Sequence, residues 1–305
     1  MKSKQINIVF MKSHFITFKF SMFVFLVLLF SCSGNNVNNE MEQEPQQTEK
    51  LPYDNIGALS GRFSVSPFTT VRFSRGLLQY NDNLKEWRFR EAQNGRCDPD
   101  NIANKTGWFD TFGWATSGYN NYSPTLTGKH YDDGFYLGME EIGATELDWG
   151  YYNKISNGGN TRGVWRTLSV YEWDYLLNDR PNAYEKLGFG YIEGCFGMIL
   201  LPDDWTAPDN CPFKQFAENS YRDLRCVASE VEYSYYDWKK MEMNGAVFLD
   251  FSRRTKYWSS SAGRDRSVAW SCYLSNSLSL GQQEYEPIYS SGRQYQHLVR
   301  LVTDL

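Results

Sequence analysis

Val164-Trp165-Arg166-Thr167-Leu168-Ser169-Val170-Tyr171-Glu172-Trp173 is the stretch on which the fold turns. Ser169 stands three residues before Glu172, the spacing of a capping box. The serine hydroxyl accepts from an orphan amide of the first helical turn, and the glutamate reaches back to the serine amide. Trp173, Leu176 and Leu177 follow at three- and four-residue intervals and make one apolar stripe. A helix therefore opens at Ser169. Ser234-Tyr235-Tyr236-Asp237-Trp238 repeats the spacing with Asp in place of Glu. Trp238 and Met241 form its stripe, and Asn244-Gly245 supplies a C-terminal stop.

Outward from these two helices the chain reads as short strands. Residues 62–65, 70–74 and 87–90 alternate polar and apolar, the period of a half-buried strand. Gly197-Met198-Ile199-Leu200-Leu201, stopped by Pro202, and Ala246-Val247-Phe248-Leu249 are unbroken apolar runs expected of buried strands. Val268, Trp270, Cys272 and Leu274 alternate with Ser267, Ala269, Ser271 and Tyr273, giving one greasy and one small or polar face. Residues 298–302 (LVRLV) read as a last strand buried on both sides apart from Arg300. Polar stretches at 94–106 and 117–133 read as long loops on one body, because aromatics flank both. Many short strands with two helices predict an α+β domain of antiparallel sheets, two main flanking helices and long loops, spanning residues 51–305.

Taken together, these segments resemble a known family. Residues 164–173 are similar to the W-R-L-P-T-x-x-E-W segment of C-type-lectin-fold proteins related to formylglycine-generating enzymes. The likeness continues through Ile199-Leu200-Leu201-Pro202-Asp203-Asp204-Trp205, residues 245–249, Tyr257-Trp258-Ser259-Ser260-Ser261 and Val299-Arg300-Leu301-Val302. Gly107-Trp108-Phe109-Asp110-Thr111-Phe112-Gly113-Trp114 resembles the bacterial lipoprotein branch with the major paralogous domain. The matches run from about residue 60 to 302, with Thr167-Leu168 where the family tends to have Leu-Pro. The resemblance implies a C-type-lectin-like fold whose first and last strands pair, with Trp165, Trp173, Trp258 and Arg300 as scaffold.

The start of the chain predicts a compartment. Lys2, Lys4, Lys12 and Lys19 precede a short apolar run ending at Ser31-Cys32, and no acid occurs before Cys32. That is the layout of a secretory signal, and Met11 begins a more typical one than Met1. Leu29-Phe30-Ser31-Cys32 resembles a bacterial lipobox, which makes Cys32 the lipidation site and residues 1–31 the signal peptide. The alternative, a spanning helix, needs about 20 apolar residues where the run offers about a dozen. Residues 32–50 hold little that could offset ordering entropy and read as the lipidated cysteine with a flexible tether. The expected location is the outer membrane, lipid-anchored and facing the cell exterior.

Charge and composition narrow the chemistry. The chain carries 31 basic and 36 acidic residues; without the four leader lysines the balance is 27 − 36 = −9. Such a chain has no broad attraction for phosphate backbones, so nucleic acid is excluded as a partner class. Of three histidines only His130 and His297 lie beyond the leader, too few for a His-rich metal site and little material for a catalytic triad. Cys97, Cys195, Cys211, Cys226 and Cys272 remain after Cys32. Cys211 and Cys226 enclose a short polar segment and are the disulfide candidate.

The enzymatic relatives in the resembled superfamily use a late, copper-binding cysteine pair. Only Cys272 stands late in this chain, without a sequence neighbour, so no oxidase activity, metal or cofactor is expected. The sugar-binding tripeptides E-P-N and W-N-D are also missing: Glu286-Pro287 is followed by Ile288. What remains is a surface for recognition. Arg264, Arg266, Tyr273, Asn276, Tyr285, Tyr289, Arg293 and Tyr295 fall between the scaffold motifs, and tyrosine and arginine dominate many binding surfaces. The expectation is a non-catalytic module holding a glycan or protein ligand there. The family includes targets of diversity-generating retroelements, and the Tyr, Ser, Asn, His and Asp content of residues 264–297 is compatible with that role. The alternative is a structural subunit of a fimbrial or outer-membrane assembly, working through an unpaired strand edge such as 62–65.

Overall fold

A computed structural model describes residues 51–95, 107–211, 213, 231–251, 256–273 and 288–305. Among them three α-helices form: α1 (Trp149–Tyr152), α2 (Val170–Asp174) and α3 (Tyr235–Met243). The capping box at α2 closes on both sides. The Glu172 amide donates to the Ser169 hydroxyl at 3.2 Å, and the Ser169 amide donates to the Glu172 carboxylate at 2.8 Å. Arg166 then grips the same carboxylate through two nitrogens at 2.7 and 2.9 Å. The helix widens into a π turn at Tyr175–Asp179, which places Leu176 and Leu177 in the core.

At α3 the box closes only halfway. Ser234 accepts from the Asp237 amide at 3.1 Å, but the Asp237 carboxylate takes the Ser234 hydroxyl at 2.8 Å. The aspartate is one methylene shorter than a glutamate, and its carboxylate settles on the near hydroxyl. Gly245 ends the helix with φ +88°, and a Cβ there would lie 2.4 Å from the Gly61 backbone. Both the left-handed turn and the close approach require glycine.

The strands form four sheets. The first has the order β1 (Phe63–Ser64), β2 (Thr70–Phe73), β16 (Leu301–Asp304), β7 (Arg166–Thr167), all antiparallel. Phe73 lies opposite Val302, so the first and last segments of the domain pair. The second runs β10 (Glu232–Tyr233), β8 (Leu187–Ile192), β9 (Cys195–Leu200), β11 (Val247–Asp250). The third runs β14 (Ile288–Gly292), β13 (Val268–Tyr273), β12 (Lys256–Ala262), β15 (His297–Leu298), β6 (Thr111–Phe112). The fourth is β4 (Glu86–Phe89), β3 (Leu78–Asn81), β5 (Trp108–Phe109). Antiparallel pairs predominate, with parallel contacts at β10–β8 and β12–β15. The chain is thus α+β, with few helices.

Two strand expectations are corrected. Residues 298–302 do not form one strand: Leu298 belongs to the third sheet and Leu301 to the first. Val299 and Arg300 carry the chain across, and the fully buried Arg300 donates to the Ser74 carbonyl and to Gln93 Oε1, each at 2.7 Å. An extended strand could not satisfy both sheets at once. On β13 the expected greasy face holds only at Cys272: Ala269 and Ser271 of the small face are buried too, while Val268 and Trp270 are half-buried. Ser271 lies opposite Trp258, and the small side chains leave room for the large ring.

Three apolar clusters result. The largest joins Phe63, Phe73, Trp173 and Tyr257; the second holds Trp87, Trp114, Trp149, Trp165 and Trp258; the third packs Trp238 on Phe248. Trp165, Trp173, Trp258 and Arg300 are therefore scaffold, as read from the sequence.

Candidate functional site

The turn joining β12 and β13 presents the first expected recognition residues. The Ser267 amide and hydroxyl both donate to Asp265 Oδ1, at 2.7 and 2.5 Å, and fix the turn. These bonds hold the Asp265 carboxyl below its usual range. Arg264 and Arg266 are exposed on either side of that aspartate. β14 ends beside the turn, because Val268 lies opposite Gly292 and the Arg293 amide donates to the Ser267 carbonyl at 3.0 Å. Tyr295, 56% exposed, sits in the next turn, its amide donating to the Gly292 carbonyl at 3.0 Å. Arg264, Arg266 and Tyr295 thus share one end of the five-stranded sheet.

Tyr289, 48% exposed, lies three residues back along β14, about 10 Å from that end. Its ring receives the Lys256 ammonium 4.0 Å from the centroid, and Lys256 donates to the Ser291 hydroxyl at 2.9 Å. Burial lowers the Lys256 pKa to about 8. Tyr273 stands opposite Lys256 in the ladder. Asn276 and Tyr285 lie outside the described residues.

Arg293 is corrected. It is 0% exposed and offers nothing to a ligand. Its Nε donates to the Val268 carbonyl at 3.0 Å and its Nη1 to the Tyr136 carbonyl at 2.6 Å, while the guanidinium lies 4.4 Å from the Trp114 ring centroid. Burial lowers its pKa to about 10, so it stays charged at neutral pH. It braces the end of the sheet that Arg264, Arg266 and Tyr295 decorate.

Cys211 is a free thiol that donates to the Asp237 carbonyl at 3.5 Å, and burial raises its pKa. Its expected partner Cys226, like Cys32 and Cys97, lies outside the described residues. Cys272 is free and buried beside Tyr257, and burial pushes its thiol far up. A protonated thiol sealed in apolar surroundings is a poor nucleophile and ligand. Among the described residues no three His, Cys, Asp or Glu side chains converge on a metal position, and no helix is long and apolar enough to cross a membrane.

The edge at 62–65 is not open. Phe63 and Ser64 pair with β2, and Asp203 covers their other side. The Ser64 amide donates to Asp203 Oδ2 at 2.5 Å, and the Asp203 amide donates to the Arg62 carbonyl at 2.8 Å. Asp203 is itself held by Arg180 at 3.3 Å and Lys186 at 3.5 Å. The Asp203-Asp204 pair is a strand-edge cap in part, with only its first member used this way.

Sequence reasoning missed a concave feature elsewhere. A cleft of about 350 Å³ opens between the β3–β4 hairpin, the residues just after α1 and the loop around Ser117. Tyr80 and Trp87 reach it from the hairpin, Tyr152 from α1, and Lys85, Lys154 and Arg162 from turns. Those residues are scattered over more than 80 positions with no shared motif, so no local signal could have joined them. No protein-family model, curated protein or solved structure matches this chain.

Proposed function

We propose that this chain is a lipid-anchored, surface-exposed, non-catalytic binding protein with a C-type-lectin-like fold. It holds a glycan or protein ligand outside the cell through the sheet end formed by Arg264, Arg266 and Tyr295. One observation carries the reading: three large, exposed, recognition-type side chains stand on short turns braced from beneath by the buried Arg293. Such preorganisation lowers the ordering cost of binding. The pairing of first and last strands and the buried Trp165, Trp173 and Trp258 support the lectin-like fold. The capped edge at 62–65 removes the feature that would favour assembly by strand addition there.

Purified full-length chain screened on glycan and surface-protein arrays tests this. Arg264→Ala/Arg266→Ala and Tyr295→Ala should each weaken the captured ligand at least about tenfold, as central anchors do. Capture that ignores all three substitutions defeats the assignment.

A further inference from the structure

The charged groups lining the cleft beside the β3–β4 hairpin are all cations, set among the aromatic Tyr80, Trp87 and Tyr152. Lys85, Lys154 and Arg162 line it, and no carboxylate does. This stands against the chain as a whole, whose formal net charge is −5. Lys85 is held by Asp82 at 2.6 Å. Lys154 and Arg162 are both exposed and have no acidic partner among the described residues. The Arg162 guanidinium lies 4.7 Å from the centroid of the Tyr152 ring, which fixes it at the rim. A planar guanidinium held in place without a carboxylate has its paired donors available, and their geometry matches a carboxylate in two-point contact.

The floor is rigid. Tyr80 and Trp87 pack against each other in a tilted pair, ring centroids 4.7 Å apart, and are nearly buried. Trp87 is tied to the wall opposite, its carbonyl accepting from the Ser156 amide at 2.9 Å. Tyr152 meets Tyr119 edge-on at 5.4 Å. Asn153 spends its amide nitrogen on the Ser117 and Trp149 carbonyls, at 2.9 and 3.0 Å. Its Oδ1 has no partner among the described residues and can accept from a hydroxyl. A sugar ring has apolar C–H patches that pack against aromatic side chains, hydroxyls suited to an amide oxygen and, when oxidised at one carbon, a carboxylate. The volume falls at the lower end of the usual range for small-molecule sites, about 300–1,000 Å³.

We infer that this cleft is a binding site for an acidic saccharide residue, its carboxylate on Arg162 and Lys154 and its ring against Trp87 and Tyr152. The site is separate from the Arg264, Arg266 and Tyr295 surface and does not depend on it.

The test is calorimetric titration of the purified full-length chain with methyl glucuronide and, in parallel, methyl glucoside, which carries a neutral hydroxymethyl group in place of the carboxylate. The expected result is measurable glucuronide binding at least tenfold tighter than the glucoside, lost at least tenfold in Arg162→Ala/Lys154→Ala and partly kept in Arg162→Lys. Both altered residues are exposed, so an unchanged melting curve verifies the fold. Equal affinity for the two sugars, no glucuronide binding by folded protein, or binding that survives the double variant would overturn the assignment. Loss of glucuronide in Arg264→Ala/Arg266→Ala instead would move the saccharide to the other surface and leave the cleft without a role.

Discussion

Four arginines in the last 42 residues divide into two pairs with opposite fates. Arg264 and Arg266 stand in water on a hairpin turn, whereas Arg293 and Arg300 are wholly buried. The difference lies in the carbonyls within reach. Arg293 finds those of Val268 and Tyr136, and Arg300 finds that of Ser74 together with Gln93. Gln93 relays that contact onward, accepting from the Phe248 amide at 3.0 Å and donating to Glu242 and Ala246 at 3.0 and 3.1 Å. A buried guanidinium is tolerable when oxygen acceptors replace part of its water, as two do at Arg300 Nη2; otherwise it stays outside. Arg300 braces the crossing between two sheets and Arg293 the end of the third, while Arg264 and Arg266 stay in water.

Arg300→Ala should have the largest effect. It strands Ser74 and Gln93 and opens a cavity where the chain crosses between sheets, so a loss of about 3–4 kcal/mol is expected in chemical denaturation. A loss as small as that of an exposed arginine would erase the contrast. Arg293→Ala should cost about 2–3 kcal/mol, since two carbonyls lose charged donors. It should also weaken the ligand of the proposed surface without touching it, while Arg293→Lys restores stability only in part.

His297 sharpens the rule by showing a cation refused. Its ring lies 4.4 Å from Trp258, Nδ1 pairs with the Gln296 carbonyl at 3.0 Å, and Nε2 is buried without a partner. Burial, with Lys256 nearby, lowers its pKa to about 3. The unfolded chain therefore binds the proton more readily, and the stability this neutral ring provides is full above about pH 6.5 and lost as pH falls toward 3. Asp148 acts in the opposite sense. Burial raises its pKa to about 6, against donors from Thr167, Gly150 and Ala144, so protonation adds stability as pH falls from about 6 to 4. Melting curves between pH 7 and 4 should show His297→Gln losing about 3 kcal/mol less than the parent, and Asp148→Asn losing more. Identical acid limbs would mean that neither ring nor carboxyl is sealed as described.

The smallest effect closes the comparison. Arg264→Ala and Arg266→Ala should each change stability by less than about 0.5 kcal/mol, because neither replaces water with protein. A larger loss would place those side chains in a packed interface.

Much of the fold was legible because its signals are local. The Ser169–Glu172 box needs four residues and backbone geometry, and the apolar run of β9 needs only its neighbours. The division of residues 298–302 was not legible, since alternation cannot say that Leu298 and Leu301 pair with different sheets. Nor was the half-closed box at Asp237, which turned on one methylene. Of the residues expected to serve recognition, Arg264, Arg266, Tyr289 and Tyr295 emerged exposed, while Arg293 was drawn inward by carbonyls far from it in sequence.

Sequence alone determined the helix starts at Ser169 and Ser234, the positions of several strands, the α+β class and the burial of Trp165, Trp173 and Trp258, because capping, periodicity and hydrophobicity act over a few residues. Tertiary structure decided which arginines are cations for the core and which for solvent, and it assembled a cation-lined cleft from Tyr80 to Arg162. The reason is physical: a charged group's place is set by the acceptors around it, and those are supplied by chain that is distant until it folds.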